Sequence, residues 1–296
     1  MFGLDNYAAL RNQSPDSRRP AYLYSRIICN VLEILRPNPA PGRLRFAVFD
    51  FDGTLSVLRT GWQSVMADLM VEALQATPRA EGEAQLRART VEPVFGLAGR
   101  PTIIQMQWLV EEVRQRGGTP QTAEAYKHQY LVRLSDRIRH RADLEAGRQP
   151  PERFRVPGAL EFVAALHARG VACYIASGTD ETAVREEVAL LGLAPLIADL
   201  RGAREDGSDA KRVVIDLLTA RHRLLTGELA MIGDGRVEIE YARAASALAI
   251  GVASTEDERA GMDARKRSLL VAAGADVIIP DFSQPAELLA YLWPAG

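Results

Sequence analysis

Lysine is nearly missing from this chain: of 36 basic residues only Lys127, Lys211 and Lys266 are lysine and the rest are arginine, which makes each lysine a candidate for a specific task. Cysteine is almost as scarce. Cys29 and Cys173 lie far apart in sequence and imply no disulfide framework, and Cys173 within an apolar run reads as a reduced core thiol. The four histidines, His128, His140, His167 and His222, show no spacing suited to zinc. No apolar run approaches the length of a membrane span, and Met1-Phe-Gly-Leu-Asp-Asn carries no charged leader followed by an apolar stretch; the expectation is a cytoplasmic protein without a membrane partner. A formal net charge of −2 gives no electrostatic reason to expect nucleic acid or an anionic surface as a partner. Internal repeats and low-complexity tracts are absent.

What the chain has is enough apolar sequence to bury a core, 47% hydrophobic against 25% charged residues over 296 positions. Its most informative stretch runs from Phe46 to Leu55, where an apolar segment ends in Asp50, Phe51, Asp52 and Gly53. Residues two apart on an extended chain point the same way, so Asp50 and Asp52 converge where a strand leaves its sheet, the usual ligand position in open α/β folds. Gly53 permits a sharp backbone departure there.

The periodicity divides the chain into three parts. Residues 1–44 read as an appended arm and linker, with a helix over Tyr22 to Leu35 and then the proline-rich Arg36 to Gly42. The apolar face of that helix needs cover, from the core or from a second copy of the chain in a homodimer. Residues 63–149 read as helical throughout, in Trp62 to Ala76, Thr102 to Arg116 and Thr122 to Ala146. After Pro157-Gly158, short apolar runs at Val171 to Ala176, Leu229 to Ile232, Leu248 to Val252 and Asp276 to Ile279 alternate with helical stretches. That alternation predicts an α/β fold: a Rossmann-like parallel sheet core over 45–62 and 150–296, interrupted by a helical cap.

Three later segments place polar residues near strand ends. Ile175 to Asp180 offers the Ser177 hydroxyl and the backbone at Gly178 to an anion, although the same residues in isolation describe a helix N-cap. Ile232 to Glu238 puts Asp234 at a strand tip and Glu238 about one helical turn later. Lys211 lies between them near the start of a helical stretch.

In this order, Asp50-Phe-Asp-Gly-Thr-Leu55, Ser177, Lys211 and Gly233-Asp-Gly-Arg-Val-Glu238 resemble the four motifs of the haloacid dehalogenase superfamily of phosphotransferases, with an α-helical cap like that of its phosphoglycolate phosphatases and phosphomutases. The second aspartate points to phosphatases or phosphomutases within it. The resemblance implies that Asp50 is the nucleophile that becomes an aspartyl phosphate and that Asp52 is the general acid and base. Ser177, Gly178 and Lys211 would hold the phosphoryl group. Mg²⁺ would be bound by Asp50, the Asp52 backbone carbonyl and Asp234, with Glu238 behind it holding metal-bound water. Glu238 departs from the aspartate usual at its position.

The expected activity is hydrolysis of a small phosphorylated metabolite such as a sugar phosphate or a phosphoglycolate-like acid. A phosphomutase and a non-catalytic binding module that keeps the fold are the alternatives. Within the cap, Arg100 in the loop Gly96 to Thr102 can reach a second anionic or hydroxylated group of a substrate, although an ordinary interhelix turn also accounts for it. Gln105 and Trp108 share a helical face that reads as core, and Lys127 and Lys266 read as solvated.

Overall fold

Two short strands, β1 (Arg26–Ile28) and β2 (Leu32–Ile34), precede β3 (Phe46–Phe49), the strand that carries the paired aspartates. The computed structural model describes residues 26–28, 32–204 and 208–294; Cys29 and the polar start of the arm lie outside the described residues. Five helices follow β3: α1 (Trp62–Gln75), α2 (Glu83–Val91), α3 (Thr102–Gln115), α4 (Ala123–Arg137) and α5 (His140–Glu145). The chain then alternates through α6 (Ala159–His167), β4 (Ala172–Asp180), α7 (Glu181–Leu190), β5 (Ile197–Ala203), α8 (Ala210–His222) and β6 (Leu229–Gly233). It ends with α9 (Arg236–Ala244), β7 (Leu248–Val252), α10 (Ala264–Ala273), β8 (Val277–Ile279) and α11 (Pro285–Leu292).

The strands form one sheet in the order β1-β2-β8-β7-β6-β3-β4-β5, parallel from β8 to β5 and antiparallel at β2 and β1. β3 is central and buried at every position. Ala47 and Phe49 enter the apolar layer on one face, with Phe162 and Phe282; Phe46 and Val48 enter the layer on the other, with Val214 and Ile239. A strand covered on both faces must be apolar at successive positions, which is why 46–49 shows no alternation. The helices inserted after β3 carry a separate core, built from Met66, Met70, Leu86, Met106, Leu109 and Tyr130 among others. No helix among the described residues is long and apolar enough to cross a membrane.

Several expectations need correction. The helix expected over Tyr22 to Leu35 is replaced, where the chain is described, by β1 and β2. The β-branched content of Ile27, Ile28 and Ile34 suits a strand, and the edge of β8 supplies the hydrogen-bond partners, with Glu33 opposite Ile278 and Ile34 opposite Val277. Leu32 is buried, and Glu33 forms a two-point ion pair with Arg267 of α10. β5 was not expected, because Asp199 and Arg201 interrupt its apolar pattern at the sheet edge. α2 was not expected either. The helix expected from Thr122 to Ala146 is divided before His140, whose Nε2 lies 2.9 Å from the Leu58 carbonyl and whose ring stacks on Phe154.

Candidate active site

β3 has β4 on one side and β6 on the other, so Asp50, Ser177 and Asp234 come to one edge of the sheet from three adjacent strands. The chain leaves β3 toward β4 and β5, then returns to β6 on the far side; the reversal of strand order opens a crevice at the carboxyl ends. A cleft of about 420 Å³ lies there, roofed by the inserted helices and lined by Asp50, Asp52, Ser177 and Asp234.

Asp50 and Lys211 form the centre. The Lys211 Nζ lies 3.0 Å from Asp50 Oδ1 and pairs also with Glu238 Oε1, with both side chains of that second pair buried. Burial would lower the Lys211 pKa, but Asp50 and Glu238 outweigh it and hold the ammonium protonated above its usual range. Burial pushes the Asp50 carboxyl well above its usual range; Lys211 pulls it down, while Glu238, Asp234 and Asp52 add to the rise. Asp52 Oδ2 accepts a 2.7 Å hydrogen bond from Thr179 Oγ1, and burial raises its carboxyl to about 6 against the pull of Arg59. Among the described residues its Oδ1 has no hydrogen-bond partner, the Arg59 Nε standing 3.5 Å away.

Two glycines allow the close approaches on which this arrangement depends. Gly53 has φ +75°, and a Cβ there would fall 2.1 Å from Asp234 Oδ2. Gly99, in the loop between α2 and α3, has φ +87°, and a Cβ there would fall 2.4 Å from Glu238 Oε1. That loop closes on the core: Lys211 Nζ donates a 2.6 Å hydrogen bond to the Gly99 carbonyl. Beside it, Gly178 lies under the Arg100 carbonyl, where a Cβ would fall 2.5 Å from that oxygen.

A model of haloacid dehalogenase-like hydrolases matches residues 44–246, more than half of the chain. The chain belongs to the haloacid dehalogenase-like hydrolases. None of the curated proteins compared with it matches. Among solved structures it is similar to a predicted phosphoglycolate phosphatase from Haemophilus somnus 129PT, at 17% identity and a TM-score of 0.52, covering 83% of this chain and 98% of that one. A protein from Bacteroides vulgatus provisionally named a beta-phosphoglucomutase gives 14% identity and a TM-score of 0.52, covering 85% and 91%. A predicted phosphatase from Clostridium acetobutylicum gives 16% and 0.51, covering 83% and 98%. At these identities the likeness is one of fold, and the helical insertion after β3 is the cap of this hydrolase fold.

In this haloacid dehalogenase-like hydrolase the structure brings Asp50, Asp52, Ser177, Gly178, Asp234 and Arg100 to the cleft, with Lys211 and Glu238 directly beneath Asp50. Ser177 is buried and its Oγ accepts from the Thr179 backbone N–H; β4 continues past it to Asp180, so it is a strand residue and not a helix cap. Gln105 also lines the cleft, its side-chain amide donating to the Pro93 carbonyl.

The other two lysines are ion-paired, Lys127 half-exposed and Lys266 more deeply set. Lys127 Nζ is 2.5 Å from Asp180 Oδ1 and ties α4 of the cap to the end of β4. Lys266 Nζ lies 2.8 Å from both Asp234 Oδ2 and Glu256 Oε1. Charged residues of the segment after β7, Glu256 and Lys266, therefore line the cleft, where a solvated loop was expected. Sequence reasoning also missed Arg59, which makes a two-point ion pair with the fully buried Glu187 and stands beside Asp52. The scarcity of lysine was the signal for Lys127 and Lys266. Nothing in the spacing marked Arg59, whose partner is 128 residues away.

Proposed function

We propose that the chain hydrolyses a small phosphate monoester with Mg²⁺ as cofactor, through an aspartyl phosphate on Asp50. The observation that supports it most is the Asp50–Lys211 pair at the tip of the central strand, with Asp52 at the same strand end and the cap loop closed over Lys211. A cleft of about 420 Å³ suits a substrate of metabolite size.

The chain's residues fit a magnesium ion. Asp50 and Asp234 are hard oxygen donors, and glycine at position 53 lets the backbone after β3 pass against Asp234. Four carboxylates, Asp50, Asp52, Asp234 and Glu238, crowd one buried region, and their mutual repulsion is what a dication offsets. Among the described residues no group of three His, Cys, Asp or Glu side chains is arranged to hold a metal; the proposed set uses two carboxylates and the Asp52 backbone carbonyl. Bound there, Mg²⁺ would neutralise charge on the phosphoryl oxygens.

The remaining steps belong to the chain. Lys211 and the Ser177 hydroxyl, with the backbone N–H of Gly178, hold the phosphoryl oxygens, and an Asp50 oxygen attacks phosphorus. Asp52, held by Thr179, protonates the departing oxygen and then takes a proton from the water that cleaves the aspartyl phosphate. Its raised carboxyl range, about 6, suits both roles. Glu238 orients Lys211, and Arg100 on the cap loop contacts a second polar or anionic group of the substrate.

The test is phosphate release from a panel of phosphorylated metabolites with Mg²⁺, wild type against Asp50→Asn. Release that the substitution abolishes supports the reading. Isomerised phosphate ester without free phosphate makes the chain a mutase, and no turnover of any kind makes it a binding module.

A further inference from the structure

Lys266 sits at the carboxylate that the proposed metal would need. From α10 its Nζ lies 2.8 Å from Asp234 Oδ2, 2.8 Å from Glu256 Oε1 and 3.2 Å from Ser254 Oγ. Ser254 Oγ in turn donates a 2.5 Å hydrogen bond to the Gly53 carbonyl, so the ammonium stands against the loop that carries Asp50 and Asp52. The same Asp234 oxygen faces that loop, since a Cβ on Gly53 would fall 2.1 Å from it and 3.1 Å from Lys266 Nζ. One side chain thus brings a positive charge to within hydrogen-bond reach of an oxygen that a divalent ion would coordinate.

A carboxylate oxygen that accepts a charged hydrogen bond donates less to a metal, and an ammonium beside a dication is repelled by it; both effects are stronger at a partly desolvated site than in water. Lys266 has a second partner that can receive it. Glu256, on the segment after β7, is largely buried and holds the same Nζ at 2.8 Å. Resting on the reading of Asp234 as a metal ligand, we infer that Lys266 is a tethered cation competing with the divalent ion for Asp234, and that Glu256 is the carboxylate onto which it withdraws when metal binds. The competition sets the metal affinity of the resting protein, and between metal loads it leaves Asp234 paired.

Calorimetric titration of the full chain with Mg²⁺ or Mn²⁺ tests this without reference to turnover. Lys266→Met should tighten metal binding about tenfold or more, the equivalent of one carboxylate–ammonium contact. Lys266→Gln, which keeps a donor but not the charge, should also tighten it and serves if the methionine variant does not fold. Glu256→Gln should weaken binding, because Asp234 is then, among the described residues, the one carboxylate left in contact with Lys266. Arg265→Gln removes one positive charge from the neighbouring position, where the guanidinium lies over the Phe95 ring, and should change affinity by no more than about twofold. A merely structural role for Lys266 would weaken binding on substitution, never strengthen it. Unchanged or weaker binding in both Lys266 variants overturns the inference alone, as does an Arg265→Gln gain equal to theirs. Absence of metal binding in wild type and variants alike overturns the inference together with the metal reading.

Discussion

An anionic nucleophile cannot approach an anionic phosphoryl group unless positive charge is already in place, and in the proposed reaction Lys211 supplies it at residue scale. The side chain is 1% exposed and spans Asp50 and Glu238. Lys211→Met should therefore cut phosphate release by about a hundredfold or more, in the range seen when one preorganised donor to a developing charge is lost. Lys211→Arg should not rescue it, because a planar fork does not fit a site shaped for a point charge beside the Gly99 carbonyl. Equal rates for wild type and Lys211→Met would show that the phosphoryl group sits elsewhere. Gly99→Ala puts a Cβ against Glu238 Oε1 at φ +87°, and should cost roughly 1–2 kcal/mol of stability from the backbone alone and lower turnover by lifting the cap loop. Urea denaturation with steady-state rates checks both effects. Asp50, Asp52, Ser177 and Asp234 were legible as candidates because each follows an apolar run that reads as a strand, and Lys211, near the start of α8, because lysine is scarce and the order of motifs resembles a known family. Lys266 and Glu256 were not, because they lie in a charged segment that by composition alone describes a solvated loop.

At the scale of elements, the cap and core are joined by charges that no local pattern marks. Arg59, just after β3, pairs with Glu187 of α7, and Arg141 of α5 reaches the same carboxylate at 3.3 Å. Glu187 is fully buried, so removing Arg59 leaves a charge with only Arg141 to offset it. Arg59→Met should destabilise the protein by about 3–5 kcal/mol, and Arg59→Met combined with Glu187→Met should recover much of that loss. A double-mutant cycle of denaturation midpoints decides it: strict additivity would mean that the two residues do not act as a pair. The same scale shows where periodicity misleads. Residues 22–35 carry apolar positions compatible with a helix, yet β1 and β2 form because β8 offers an unpaired edge, a fact about strands some 240 residues further on. β5 escaped notice for the complementary reason: as an edge strand it tolerates Asp199 and Arg201, so it never forms the apolar run by which β3, β6 and β7 declare themselves.

Over the whole molecule, the sheet brings residues separated by more than 180 positions to one edge, and the inserted helices enclose them from above. The division into a helical insertion and an alternating core was legible because residues 63–149 carry helical stretches and no strand-like run, whereas after Pro157-Gly158 helical stretches alternate with short apolar runs. The closure of the cap onto Lys211 was not, since it depends on one carbonyl at Gly99. For the assembled site, chelation of divalent ions should abolish phosphate release and added Mg²⁺ should restore it; release that persists in excess chelator would remove the metal from the account. The central claim is the covalent step. After brief turnover of a generic ester such as p-nitrophenyl phosphate and quenching in acid, mass spectrometry of the peptide holding residues 46–58 should show a phosphoryl adduct on Asp50 that Asp50→Asn lacks. Phosphate release at full rate from Asp50→Asn, with no adduct on this peptide in either protein, would contradict it.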